Sequence, residues 1–149
     1  MRRRHPAILG LPIVVLVCSL LHEAGQAQFA QQGPKLVGTG AVGAASQGYS
    51  VSLSDDGNTA IVGGPRNNPY QSGAAWVFTL SGGVWSQRQE INPCDNPVCF
   101  FPFDFFGVSV SLSGDGDTAI VGALDVLHDE WGYAEVYVRS GGYGPHRRF

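Results

Sequence analysis

The chain has 149 residues and a formal net charge of −3 at pH 7, with 21 glycines and only 14% charged residues. A hydrophobic content of 44% is enough for a packed core and argues against wholesale disorder. Nine basic residues against twelve acidic ones argue against a nucleic-acid-binding face. The abundant glycine and weak helical periodicity also disfavour a helical bundle.

The N-terminal segment, 1–27, has the pattern of a secretory signal peptide. Three arginines precede an uncharged run at 7–21, which is shorter than the roughly 20 residues that a membrane span needs. The small residues Gly25 and Ala27 follow, so we expect cleavage after Ala27. This predicts a secreted, periplasmic or cell-surface chain with no stable membrane span after cleavage. An uncleaved N-terminal anchor is the alternative.

The dominant pattern is an internal duplication with an offset of 59 residues. GYSVSLSDDGNTAIVGG at 48–64 matches GVSVSLSGDGDTAIVGA at 107–123, and 48–85 against 107–144 has 19 identities in 38 positions. Such self-similarity indicates a repeat architecture. We divide the chain into a signal peptide (1–27), a glycine-rich leader (28–47), repeat 1 (48–92), a Cys- and Phe-rich connecting loop (93–106) and repeat 2 (107–149).

Each repeat has the pattern of antiparallel strands. The strands predicted in repeat 1 are 49–53, 59–62, 74–80 and 84–91. The second is apolar at its end and is expected to be buried on both faces, whereas the polar fourth is expected nearer an edge. Asp56-Gly57 and Asp115-Gly116 predict hairpin turns, because glycine adopts positive φ readily. The fold class is therefore all-β, with two four-stranded antiparallel blade-like repeats in a partial β-propeller.

Two motifs in these repeats resemble a known family. Phe106-Gly107, and Val62-Gly63-Gly64-Pro65 after the second strand, are similar to the two halves of the FG-GAP repeat. That repeat builds the β-propeller of integrin α chains and of many exported bacterial proteins. The resemblance covers about 34–92 and 106–142. Repeat 1 departs from it with Gln47-Gly48 in place of Phe-Gly, and repeat 2 with Gly122-Ala123-Leu124 in place of Gly-Gly-Pro.

The number of repeats is smaller than in a closed propeller of that family. Repeat 2 also loses its strand pattern at 143–149, where Pro145 replaces a residue of the fourth strand. We therefore expect a short or truncated member of the family. Self-association of three or four copies into a ring is the alternative.

The loops after the second strands supply the candidate ligand contacts, because loops at one end of the blades carry binding in such folds. The candidates are Arg66, Asn67, Asn68 and Tyr70 in repeat 1, and Asp125, His128 and Trp131 in repeat 2. The candidate metal ligands are Asp125, Asp129 and Glu130, although their spacing fits no calcium cage and a solvated loop is the alternative. The hairpin turns carry serine where calcium would need carboxylates, so no cofactor is expected, and calcium is the alternative.

The connecting loop contains a cysteine pair and an aromatic cluster. Cys94 and Cys99 predict a disulfide, because they form an even, closely spaced pair in an exported chain. The cluster of Phe100, Phe101, Phe103, Phe105 and Phe106 predicts packing between the repeats. A surface for sugar or protein is the alternative.

Enzyme-like motifs have structural explanations. The glycines at 38–43 match a dinucleotide fingerprint but lack the helix that it needs. The strand serines resemble a nucleophile elbow, yet no histidine recurs with them. We therefore expect a non-enzymatic exported module that binds extracellular protein or carbohydrate. One alternative is a carbohydrate-active or lectin-like protein that depends on at least one of Asp125, Asp129 and Glu130. The other is a gene remnant without independent function.

Overall fold

The computed structural model describes residues 28–93, 103–126 and 132–140, and the described residues from Gln32 onward belong to one compact unit. The described part is all-β, as predicted. Its strands are β1 (Ser50–Leu53), β2 (Thr59–Gly64), β3 (Ala74–Ser81), β4 (Val84–Ile91), β5 (Ser109–Leu112), β6 (Thr118–Leu124) and β7 (Gly132–Val138). Among these residues there is no helix with the length and apolar character of a membrane span.

The strands form two antiparallel sheets, one per repeat. The first has the order β1-β2-β3-β4 and the second has the order β5-β6-β7. The expectation of four strands holds for repeat 1. In repeat 2 the described residues form three strands, and the position of a fourth falls at 141–149, outside the described residues. The two sheets by themselves do not close a ring.

The position of each strand in the first sheet follows from its composition. β2 is buried at every residue and lies between β1 and β3, as its apolar, β-branched sequence predicted. β4 lies at the edge and alternates exposed with half-buried residues. On β3, Trp76 and Phe78 face one side and Ala75 and Val77 face the other, also as predicted.

The duplication in sequence is a duplication in backbone hydrogen bonding. Gly48 N–H donates to the Gly63 carbonyl at 3.1 Å, and Gly107 N–H donates to the Gly122 carbonyl at 3.0 Å. Both hairpins close in the same way, with Gly57 and Gly116 at φ of 70° and 71°. The repeats are therefore two copies of one folding unit, and the predicted turn glycines are confirmed.

An apolar layer joins the two sheets. Ile61 and Ala75 of the first sheet pack with Phe106 and Val121, all four fully buried. Phe106 also meets Tyr137 edge to face, with ring centroids 6.3 Å apart. The prediction that the phenylalanine cluster packs between the repeats is confirmed for Phe106.

The leader covers the outer face of the first sheet. Leu36 and Ala45 pack against a cluster centred on Trp76, whose indole N–H donates to the Thr39 carbonyl at 3.0 Å. Gln47 fixes the leader, because its side-chain amide accepts from Gly38 N–H at 2.7 Å and donates to the Gly38 carbonyl at 2.9 Å. Gln47, which stands where repeat 2 has Phe106, therefore has a structural role.

Several predicted features lie outside the described residues. They are the signal peptide at 1–27, the cysteine pair Cys94 and Cys99, the aromatic residues Phe100 and Phe101, and the end of repeat 2. Each of these stays a prediction.

Candidate functional site

Two loops and a connecting segment meet at one end of the sheets. Phe103 N–H donates to the Tyr70 carbonyl at 2.7 Å, and Phe106 N–H donates to the Ser72 carbonyl at 2.9 Å. On the other side of this segment, Leu124 N–H donates to the Asp104 carbonyl at 2.7 Å. The loop after β2 and the start of the loop after β6 therefore border the same strip of backbone.

Side chains of these segments form what we term the Tyr70 surface. Of its members, Arg66, Tyr70 and Val126 are exposed, whereas Phe103 and Asp125 are half-buried. Tyr70 is 61% exposed and Val126 is 47% exposed, while Arg66 points to solvent. The surface combines two aromatic rings, an aliphatic side chain and groups of both charges. Such a mixture suits contact with a polar partner that also has apolar faces, such as a sugar or a peptide.

Two of the predicted contact residues instead position the loop. Asn67 is 2% exposed, and its side-chain oxygen accepts from Val42 N–H at 2.8 Å while its amide nitrogen donates to Glu90 at 3.3 Å. The Asn68 side-chain oxygen accepts from Tyr70 N–H at 2.9 Å. Both asparagines thus hold the loop in the shape that presents Tyr70.

The backbone of this region is strained at several positions. Asn68, Gln71 and Phe103 have φ of 64°, 55° and 68°, a region that bulky side chains seldom adopt. Gln71 N–H donates to the Asn68 carbonyl, which links two of the three. Strain of this kind persists where the surrounding contacts over-determine the backbone, and it concentrates at functional sites.

A buried carboxylate lies beneath the surface. Asp104 is 2% exposed and accepts a hydrogen bond from the Tyr133 hydroxyl at 3.1 Å. Asp104 was not among the residues predicted from the sequence. No motif or repeat marks it, since the residue at the offset of 59 is Ala45, and its burial depends on tertiary packing.

The predicted contacts of repeat 2 are only partly described. Asp125 is half-buried at the border of the Tyr70 surface, whereas His128, Asp129, Glu130 and Trp131 lie outside the described residues. Among the described residues, no three histidine, cysteine, aspartate or glutamate side chains are grouped closely enough to hold a metal ion. The proposed role of these acids in metal binding stays a prediction.

The acidic residues of the hairpin turns are engaged in local structure. Asp56 accepts from the Ser54 hydroxyl at 2.6 Å and from Asn58 N–H at 2.9 Å. These bonds, that from Ser54 foremost, hold the pKa of Asp56 below its ordinary value. In repeat 2 the Ser113 hydroxyl lowers the pKa of Asp115 in the same way. The turns are therefore closed by serine–aspartate pairs.

A groove of about 1480 Å³ lies elsewhere on the described part of the chain. It lies between the β3–β4 side of the first sheet and β7. Its walls combine apolar residues such as Val77 and Ile91 with the charged residues Arg88, Glu135 and Arg139. Arg139 is anchored at one end, where it donates to the Thr59 hydroxyl and to the Gly116 carbonyl, each at 3.1 Å.

Comparisons with known proteins leave the family unassigned. No family model, no curated protein and no solved structure matches this chain. The class that the structure defines is that of an all-β protein built from two packed sheets of one duplicated unit.

Proposed function

We propose that the chain is an exported, non-enzymatic binding module of the FG-GAP type, which contacts extracellular protein or carbohydrate through the Tyr70 surface. The observation that carries this proposal is the exposed Tyr70 ring on a loop held by Asn67 and Asn68. An aromatic ring that is 61% exposed on an internally bonded loop is arranged for contact with a partner. The signal-like pattern at 1–27 supports export.

The proposed mode of binding follows from the chemistry of the surface. The face of Tyr70 would stack on the apolar face of a sugar ring or on a partner side chain. The guanidinium of Arg66 would pair with a carboxylate or hydrogen-bond a hydroxyl of the ligand. Because the loop is already bonded on both sides, little ordering entropy would be lost on binding.

The test is binding of the purified chain to a glycan array and to immobilised extracellular proteins. For any ligand bound, we expect Tyr70→Ala and Arg66→Ala to weaken binding by roughly tenfold or more, with unchanged thermal stability. Val84→Ala, which removes an exposed apolar side chain at the start of β4, is the matched control. Failure to bind any probe, or ligand binding unaffected by both substitutions, would contradict the proposal.

A further inference from the structure

The second sheet exposes a face whose counterpart in the first sheet is buried or half-buried. We term it the open face, and it consists of Ser109, Ser111, Ile120, Ala134 and Val136 around Gly122. Their counterparts at the offset of 59 are Ser50, Ser52, Ile61, Ala75 and Val77 around Gly63. All six positions carry the same residue in both repeats. No charged residue belongs to either set.

In the first sheet, this set forms the contact with repeat 2. The Ser50 hydroxyl donates to the Gly107 carbonyl at 2.8 Å, and Leu112 N–H donates to the Ser52 hydroxyl at 3.0 Å. Ile61 is fully buried in the apolar layer between the sheets. The Ser50 and Ser52 hydroxyls therefore bond to β5 and to the residues before it, while Ile61 and Ala75 lie in the apolar layer between the sheets.

Gly63 shows how closely the two sheets approach. A Cβ atom at this position would lie 2.1 Å from the Gly107 carbonyl oxygen. At Gly122, the nearest atom to such a Cβ would be the Ser109 hydroxyl oxygen of its own sheet. Repeat 2 therefore keeps the glycine and the serine, although the described residues place no neighbouring sheet against them.

The surface that fits this face is also present on repeat 1. Val51 and Leu53 of β1 are 67% and 55% exposed, whereas their counterparts Val110 and Leu112 of β5 pack half-buried against the first sheet. The leader covers β2 and β3 on this side but leaves β1 open. Repeat 1 thus offers the β1 side of the contact that repeat 2 makes through β5.

We infer that the open face docks, head to tail, on β1 of a second copy of this chain. The contact repeats the β5 part of the interface within the chain, since the leader covers β2 and β3 of the second copy. Ser109 donates to the Gly48 carbonyl of the second copy, Ser111 accepts from its Leu53 N–H, and Ile120 packs near its Val51. Because the two faces differ, the interface is heterologous and links copies in one direction. The inference is independent of ligand binding at the Tyr70 surface.

The test begins with the mass of the purified chain, measured by sedimentation equilibrium over a wide range of concentration. We expect association, and we expect Ile120→Glu and Val51→Glu each to weaken it by roughly tenfold or more. Val84→Glu is the matched control, since Val84 is 65% exposed outside both faces, and it should associate normally. Gly122→Ala should also dissociate the copies, because its Cβ would displace the Ser109 hydroxyl and meet the docked carbonyl. Circular dichroism would confirm that each variant is folded.

Mixing the two charged variants tests the direction of docking. Each retains one intact face, so the mixture should form one-to-one dimers although neither variant associates alone. Loss of association with Ile120→Glu but not with Val51→Glu would mean that two open faces pack on each other, and would overturn head-to-tail docking. A wild-type chain that stays monomeric throughout would also overturn it, and would assign the face to a segment of the same chain or to a different partner.

Discussion

Ile61 and Ile120 occupy the same position in the two repeats, yet Ile61 is fully buried and Ile120 is 44% exposed. The difference arises from what lies against each sheet, since their cross-strand partners, Val77 and Val136, are also identical.

Ile61→Ala should destabilise the fold by about 2–5 kcal/mol, because it empties a packed site. Ile120→Ala should cost less than about 1 kcal/mol in the monomer. Urea unfolding at low protein concentration measures both. Equal losses would contradict this account.

The position of the leader on the first sheet should depend on Gly38, which contacts Trp76. A Cβ at Gly38 would lie 2.2 Å from the indole ring, so Gly38→Ala should displace the leader and expose the tryptophan. The expected result is a red-shifted emission of Trp76, measured with Trp85 and Trp131 replaced by phenylalanine. Thr39→Ala is the control, because it keeps the carbonyl that accepts the indole hydrogen bond. An unchanged spectrum for Gly38→Ala would show that the leader does not hold this position.

The first hairpin should lose stability without its serine. Ser54 is 4% exposed, and its hydroxyl donates to Asp56 and accepts from Thr59 N–H at 2.9 Å. Ser54→Ala should cost about 1–3 kcal/mol, because the buried Thr59 N–H loses its partner. The free energy of unfolding in urea measures the loss. Ser113→Ala in the second hairpin should cost less, since Ser113 is more exposed.

The stability of the fold should depend on pH through Asp56 of the same hairpin. The pKa of Asp56 is lower in the folded chain than its ordinary value of 3.8, so its carboxylate stabilises the fold at neutral pH. This contribution is complete above the ordinary pKa and is lost as the pH falls through the lowered folded value. Asp56→Asn should therefore lower the melting temperature at pH 7, and the difference from wild type should narrow below about pH 4.

The control for this titration is Asp55→Asn. The Asp55 side chain forms no hydrogen bond with Ser54 or Asn58 among the described contacts. A difference between Asp56→Asn and wild type that stayed constant down to low pH would argue against the carboxylate as the stabilising group.

At the Tyr70 surface, substitutions of positioning residues should lower the stability of the fold, whereas substitutions of contact residues should not. Asn67→Ala should destabilise the fold by about 1–3 kcal/mol, because the buried amide links Val42 and Glu90. Arg66→Ala should change stability by no more than about 0.5 kcal/mol, because its side chain is exposed. Thermal unfolding distinguishes the two. A large loss of stability for Arg66→Ala would remove it from the set of ligand contacts.

The local structure and the duplication could be predicted from the residues alone. Alternation of apolar residues with serine at Ser50 and Ser52, the apolar run of β2 and the turn glycines are local signals, and each depends only on neighbouring residues. Because the repeats match in sequence, their hydrogen bonding matches as well. The sequence shows that Gln47 stands where repeat 2 has Phe106. It does not show the hydrogen bonds between Gln47 and Gly38, because those bonds depend on how the leader folds.

The covered face of each repeat and the outward-facing loop residues are set by tertiary packing and could not be predicted. Ile61 and Ile120 have the same sequence surroundings, so no local pattern could distinguish the buried side chain from the exposed one. Asn67 and Tyr70 lie three residues apart in one polar loop, yet one is buried by the leader and β4 while the other is exposed. Burial depends on segments far away in the chain, and that is why packing, unlike strand pattern, could not be derived from the residues alone.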